Sequence, residues 1–164
     1  MVNVEGLDTL LHSHPFFQGM DEGMLEFIAG CAANERFEAG DMVFREGGPA
    51  DKFYVVRHGI IAVEVGVPGR GKATLQTLHE DDVLGWSWLV PPYRWTFDAR
   101  AATLTRVISL DAVCLRAKMA ENHEMAYHLL MRFTAVMAER LHAARMQMLD
   151  LYAPGGGPEG DRGP

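Results

Sequence analysis

Apolar positions along this chain recur at two different periods. Behind Asp21, whose carboxylate suits a helix N-cap, Met24, Leu25, Phe27, Ile28 and Cys31 fall at helical intervals and predict a short amphipathic helix. Ahead of it, Leu7, Leu10 and Leu11 followed by Pro15, Phe16 and Phe17 predict a small helix stopped by proline and anchored by aromatic rings. His12 and His14 in that segment read as surface residues. After Asn34 the period drops to two. The runs 36–44, 52–56, 59–65, 73–78 and 97–110 are rich in Val, Ile and Phe, with glycine-bearing turns between them. Many short antiparallel strands without long helical stretches between them predict a roll or barrel, not a parallel sheet.

From Asp111 the helical period returns, first in a short helix through Met119 and then in a long one over about 122–152. In the long helix Leu130, Thr134, Met137, Leu141, Ala144, Met148 and Leu151 alternate at four and three residues, the spacing of a coiled-coil seam. A second stripe, Met125, Leu129, Phe133 and Val136, can cover the roll. The seam continues several turns beyond what a small roll would cover, so a parallel homodimer is expected through this helix. The chain thus divides into a roll with flanking short helices (1–121), a dimerisation helix (122–152) and a Gly/Pro tail (153–164) expected to be disordered.

Charge narrows the partners. Fifteen Lys+Arg against 22 Asp+Glu give −7, with no basic run, which argues against nucleic-acid binding by this chain. Cys31 and Cys114 lie far apart without metal-ligand spacing and are expected to be buried thiols, forming neither a zinc site nor a disulfide. Without a basic apolar leader or a run long enough to span a membrane, the expectation is a cytoplasmic protein with no membrane association. The histidines at 58, 79, 123, 128 and 142 are scattered and form no catalytic or metal pattern, so no enzyme, metal or cofactor is expected. The ten Met read as core filler, not haem ligands.

All three tryptophans fall within residues 85–101, beside Pro91-Pro92, Arg94 and Arg100. Large rings with one N–H each suit either a pocket or its plug. The order of elements, with Phe37-Glu38-Ala39-Gly40-Asp41, Phe44-Arg45-Glu46-Gly47, Asp51-Lys52-Phe53-Tyr54-Val55-Val56, Gly59 and Leu78 through Asp82-Val83-Leu84-Gly85, resembles the cyclic-nucleotide-binding domains of the catabolite-activator and kinase regulatory-subunit type. Asp81 stands where that family usually has glycine. The resemblance spans about residues 7–152. It implies a mostly β fold: an antiparallel β-roll, jelly-roll-like, with short N-terminal helices and a long C-terminal dimerisation helix.

In the resembled family the stretch after Gly85 is a phosphate-binding cassette, in which a short helix and an arginine hold the cyclic phosphate and a glutamate holds the ribose. Aligned without a gap, Trp86 takes the glutamate position and Trp95 the arginine position. A buried phosphate needs paired charge, and these substitutions remove it. Two readings follow. In one, Gly85, Trp86, Ser87, Trp88, Arg94, Trp95, Thr96 and Arg100 form an aromatic pocket for a different small effector, flat or cationic. In the other, the rings plug the roll, which becomes a protein-interaction module. A third alternative keeps cyclic AMP or cyclic GMP, held by Arg94 or by Arg100 of Arg100-Ala101-Ala102-Thr103. The family's transcription regulators continue past the long helix into a helix-turn-helix, where this chain runs into glycine and proline; a stand-alone sensor that does not contact DNA is the resulting expectation.

Overall fold

The computed structural model describes residues 4–152, so the Gly/Pro tail lies outside the described residues. Helix α1 (Val4–Ser13), a 3-10 turn (Pro15–Phe17) and α2 (Glu22–Ala29) precede eight strands: β1 (Ala32–Phe37), β2 (Met42–Phe44), β3 (Lys52–His58), β4 (Ile61–Val67), β5 (Gly71–Leu78), β6 (Val83–Leu84), β7 (Asp98–Ala101) and β8 (Thr105–Asp111). Helices α3 (Ala112–Glu121) and α4 (His123–Tyr152) follow. The strands form two antiparallel sheets, ordered β1-β8-β3-β6 and β2-β7-β4-β5. This is the roll the alternating pattern predicts.

Local chemistry sets the boundaries. Asp21 caps α2 by accepting from the Met24 N–H at 2.8 Å, and Asp111 caps α3 through the Cys114 N–H at 2.8 Å. The run 36–44 is broken into β1 and β2 at 38–41, where Asp41 accepts from the Glu38 N–H and donates its own N–H to the Glu38 carbonyl. The run 97–110 is likewise two strands, β7 and β8, parted at 102–104. Gly59 is irreplaceable there: its φ is +97°, and a Cβ would stand 2.4 Å from the Leu104 carbonyl oxygen.

The stripe Met125, Leu129 and Phe133 is buried against the roll, with Val136 packed at its margin. Phe133 meets Phe16 and Phe53 edge-on, each with centroids 5.0 Å apart, so the N-terminal turn, β3 and the root of α4 share one aromatic layer. A single residue, Asn122, separates α3 from α4; its side-chain oxygen caps α4 by accepting from the Met125 N–H at 3.0 Å.

Two expectations are corrected. Cys31 and Cys114 are not thiols but form a disulfide, Cα–Cα 5.7 Å, across 83 residues of sequence. The cause is register: β1 pairs with β8 so that Ala32 faces Leu110, which brings the residue before β1 beside the first turn of α3. Sequence distance carried no information about that pairing. His14 is buried, not on the surface. Its Nδ1 accepts from the Phe16 N–H at 3.2 Å, which leaves the proton on Nε2 to be donated to the Val56 carbonyl at 3.3 Å. Burial lowers its pKa, against smaller raising effects of the Val56 bond, Asp81 and Asp82.

Candidate functional site

Between residues 84–97 and α4 lies a cavity of about 480 Å³, within the range of small-molecule sites. One wall comes from the roll and cassette: Phe44, Val63, Leu84, Gly85, Trp86, Ser87, Trp95, Thr96 and Phe97. The opposite wall is α4, through Met137, Arg140, Leu141, Ala143, Ala144 and Gln147, with Leu75 and Gln76 of β5 at the side. Gln147 donates to the Leu75 carbonyl at 3.3 Å, tying the helix to the roll at the far end of the cavity.

The cassette folds in an unusual way for local reasons. Ser87–Leu89 make one 3-10 turn, with Trp86 at its N-cap lacking a side-chain hydrogen bond. The N–H groups of Leu89 and Val90 are already used by the Trp86 and Ser87 carbonyls. A single 3-10 turn sums only a small dipole, so it draws an anion far less than a full helix N-terminus would. Residues 93–95 then run antiparallel to 47–50: Gly47 and Ala50 donate to the Trp95 and Tyr93 carbonyls at 2.8 Å, and Trp95 donates to the Gly48 carbonyl at 3.0 Å. Extended backbone alternates its side chains, so Trp95 turns inward while Arg94 turns out. Arg94 ends on the Gly47 carbonyl at 3.2 Å. The same alternation in β7 buries Ala99 and Ala101 and puts Arg100 on the outer face, bonded to Glu64 at 2.9 Å.

The three tryptophans have different roles. Trp95 lies flat on Phe44, centroids 3.7 Å apart and planes 6° apart, and forms cavity wall. Trp86 is half-buried on the same wall. Trp88 leaves the cavity altogether: it is fully buried, stacked on Phe53 at 5.0 Å and edge-on to Phe133 at 5.4 Å. Its Nε1 is buried and has no hydrogen-bond partner among the described residues. Arg116 of α3 donates to the Trp88 carbonyl at 2.6 Å and lies 4.3 Å over the Tyr93 ring, latching the cassette to α3.

Of the eight residues the sequence nominates, Gly85, Trp86, Ser87, Trp95 and Thr96 line the cavity, and Trp88, Arg94 and Arg100 do not. Trp88 is core, and strand alternation points both arginines away. Sequence reasoning overlooked Arg140, the one cationic side chain on the cavity wall among the described residues. The signal was available: Arg140 continues the stripe Met125, Leu129, Phe133 and Val136 at helical spacing, a charge where an apolar residue is due. Burial lowers the pKa of its guanidinium, opposed by the charges of Asp82 and Glu139.

Of the expected seam, Met137, Leu141 and Ala144 border the cavity, whereas Leu130, Met148 and Leu151 are exposed apolar side chains and Thr134 is exposed with its hydroxyl on the Leu130 carbonyl. Among the described residues no cluster of three or more His, Cys, Asp or Glu could hold a metal, and no helix is long and apolar enough to cross a membrane.

Comparison with known proteins agrees with this architecture. The chain is 26% identical over 145 residues to a CRP-like cAMP-activated global transcriptional regulator of Mycobacterium tuberculosis, covering 88% of this chain and 63% of the relative. It is 29% identical over 143 residues to cyclic nucleotide-gated ion channel 18 of Arabidopsis thaliana, covering 85% of this chain and 19% of the channel. It therefore spans less than two thirds of the curated relatives it matches. A cyclic nucleotide-binding domain from Methylobacillus flagellatus superposes with a TM-score of 0.75 over 90% of this chain and 83% of its own, at 14% identity, a likeness of fold alone. The cyclic nucleotide-binding domain family model matches residues 34–122. With β2 to β8, most of β1, the cassette turn and α3 inside that match, the chain belongs to the cyclic nucleotide-binding domain family.

Proposed function

We propose that the chain is a non-enzymatic sensor module that takes a small effector into the cavity between the cassette and α4 and passes occupancy on through the pose of α4. The observation that carries this reading is that the cavity has walls on two separate elements, the cassette and the helix, so a ligand there touches both at once. A ligand shifts such an equilibrium only by preferring one arrangement, and a cavity between two elements supplies that preference. The rings of Trp86 and Trp95 line the space and leave it open, which favours a pocket over a plug. The curated M. tuberculosis relative is described as cAMP-activated. In this chain a cyclic nucleotide in the cavity would meet neither Arg94 nor Arg100, so those two residues do not support the cyclic-nucleotide alternative.

The exposed apolar edge at Leu130, Met148 and Leu151 supports a homodimer through α4. Because Met137, Leu141 and Ala144 belong to both seam and cavity wall, the dimer contact would read the ligand directly. The charge of −7 supports a role without direct duplex binding by this chain. A thermal-shift screen that includes cyclic AMP and cyclic GMP tests the sensor reading. A compound that raises Tm, and does so no longer in Ala143→Trp, supports it; a broad screen without any such compound favours the interaction module.

A further inference from the structure

The reading of the cavity as an effector site leaves the ligand's chemistry open, and one side chain on its wall addresses it. Arg140 has no hydrogen-bond or ion-pair partner among the described residues, while Arg94, Arg100, Arg116 and Arg132 each donate to a carbonyl or carboxylate. It reaches the cavity from α4, in a stripe whose other members are apolar or neutral. A guanidinium carries five donors in a planar fork that matches carboxylate and phosphate oxygens. Holding it partly desolvated without an acceptor is unfavourable, though less so than for a fully buried charge. Burial displaces its pKa downward, against the opposing charges of Asp82 and Glu139, neither of which bonds to it.

The remaining surface favours a flat ring. Trp86 and Phe97 present aromatic surface, and Trp95, backed by Phe44, can accept a ring only on its open side. Ser87, Thr96 and Gln76 supply neutral polar atoms. We infer that Arg140 is the anion anchor of this cavity, and that the effector is a planar ring compound bearing one anionic group, carboxylate or phosphate, whose charge is met from the helix wall and not from the cassette. The cationic ligand that aromatic walls alone would admit is repelled by the same guanidinium. The arrangement also explains how a cassette with Trp95 in place of the family's arginine can still serve an anion: the counter-charge has moved to the element that carries the signal.

Isothermal titration calorimetry of the full chain with 2-naphthoate, its neutral isostere 2-naphthamide and its cationic isostere 2-naphthamidine tests the inference, with cyclic AMP as the phosphate arm. The expected order is naphthoate tightest, amide weaker, amidine weakest. Arg140→Gln should weaken naphthoate by about tenfold to a hundredfold, the usual worth of a charged hydrogen bond, and leave the amide unchanged. Arg140→Lys should keep part of the preference and provides the measurement if the Gln variant is unstable. Naphthoate binding no tighter than the amide, a preference that survives Arg140→Gln, or cyclic AMP binding that ignores the substitution would each overturn the anchor. Failure of all probes to bind, the neutral amide included, would instead overturn the effector-site reading and the anchor with it.

Discussion

The ring of Trp95 occupies the place where a side chain at Gly85 would begin. A Cβ there would lie 2.7 Å from Cη2 and 2.8 Å from Cζ3 of the indole, and Gly85 has φ +95°. The tryptophan at the family's arginine position therefore depends on a glycine ten residues earlier. Gly85→Ala combines left-handed backbone strain with overpacking and should destabilise by at least about 2 kcal/mol in urea denaturation. Gly66→Ala, whose Cβ meets nothing within 4 Å, is the control and should change stability by less than about 0.5 kcal/mol.

Joining Cys31 to Cys114 closes a long loop, so the double variant Cys31→Ala/Cys114→Ala should lose about 2–4 kcal/mol under oxidising conditions. With dithiothreitol present throughout, the difference from the unaltered protein should shrink to less than about 1 kcal/mol. A difference that persists under reduction would mean that the packing of the sulfurs, not the bond between them, supplies the stability.

His14 predicts a pH dependence. Its folded-state pKa is lowered, so the unfolded chain binds the proton more readily. The stability it contributes is complete above the unfolded value of about 6.5 and falls as pH drops below that towards the folded value. Unfolding free energy should therefore decline from pH 7 to pH 5, and His14→Gln, able to donate to the Val56 carbonyl without titrating, should flatten that decline.

Met148 lies in the seam but beyond the cavity. Met148→Glu places like charges opposite each other in a parallel pair and should halve the mass seen by light scattering, while leaving ligand stoichiometry per chain unchanged. An unaltered mass would remove α4 as the dimer contact.

Asp81 adopts φ +74°, the conformation that the family's usual glycine at this position would take without strain. Asp81→Gly should raise stability by about 0.5–1 kcal/mol, equivalent to roughly 1–4 °C in Tm for a chain of this size.

The fold was legible because its signals were local. The Val- and Ile-rich run of β4, the caps Asp21 and Asp111, and glycine turns each state their own geometry, and they agree. The inner stripe of α4 was legible for the same reason. Arg94 and Arg100 were misplaced because the direction of a side chain in a strand depends on register with a partner strand, and Arg100 is directed by its pairing with Ala62 of β4. The disulfide was missed on the same ground, since the β1–β8 register alone brings its sulfurs together. Trp88 was assigned to the cavity by its proximity to Trp86, although its ring packs on Phe53 and Phe133 in the core while Trp86 lines the cavity.

The latch from Arg116 to Trp88 and the disulfide from Cys114 both act on α3, binding it to the cassette and to the roll. The root of α4 is held as well, by the burial of Met125, Leu129 and Phe133, so the helix is free to move only beyond Val136. From there to Met148 it extends about 18 Å, at about 1.5 Å per residue. A bend of about 10° under a ligand pressing on Arg140 would carry Met148 about 3 Å sideways and break the tie from Gln147 to the Leu75 carbonyl. The distal helix is thus a short tongue clamped at its base, and hydrogen exchange at residues 137–147 would register its release.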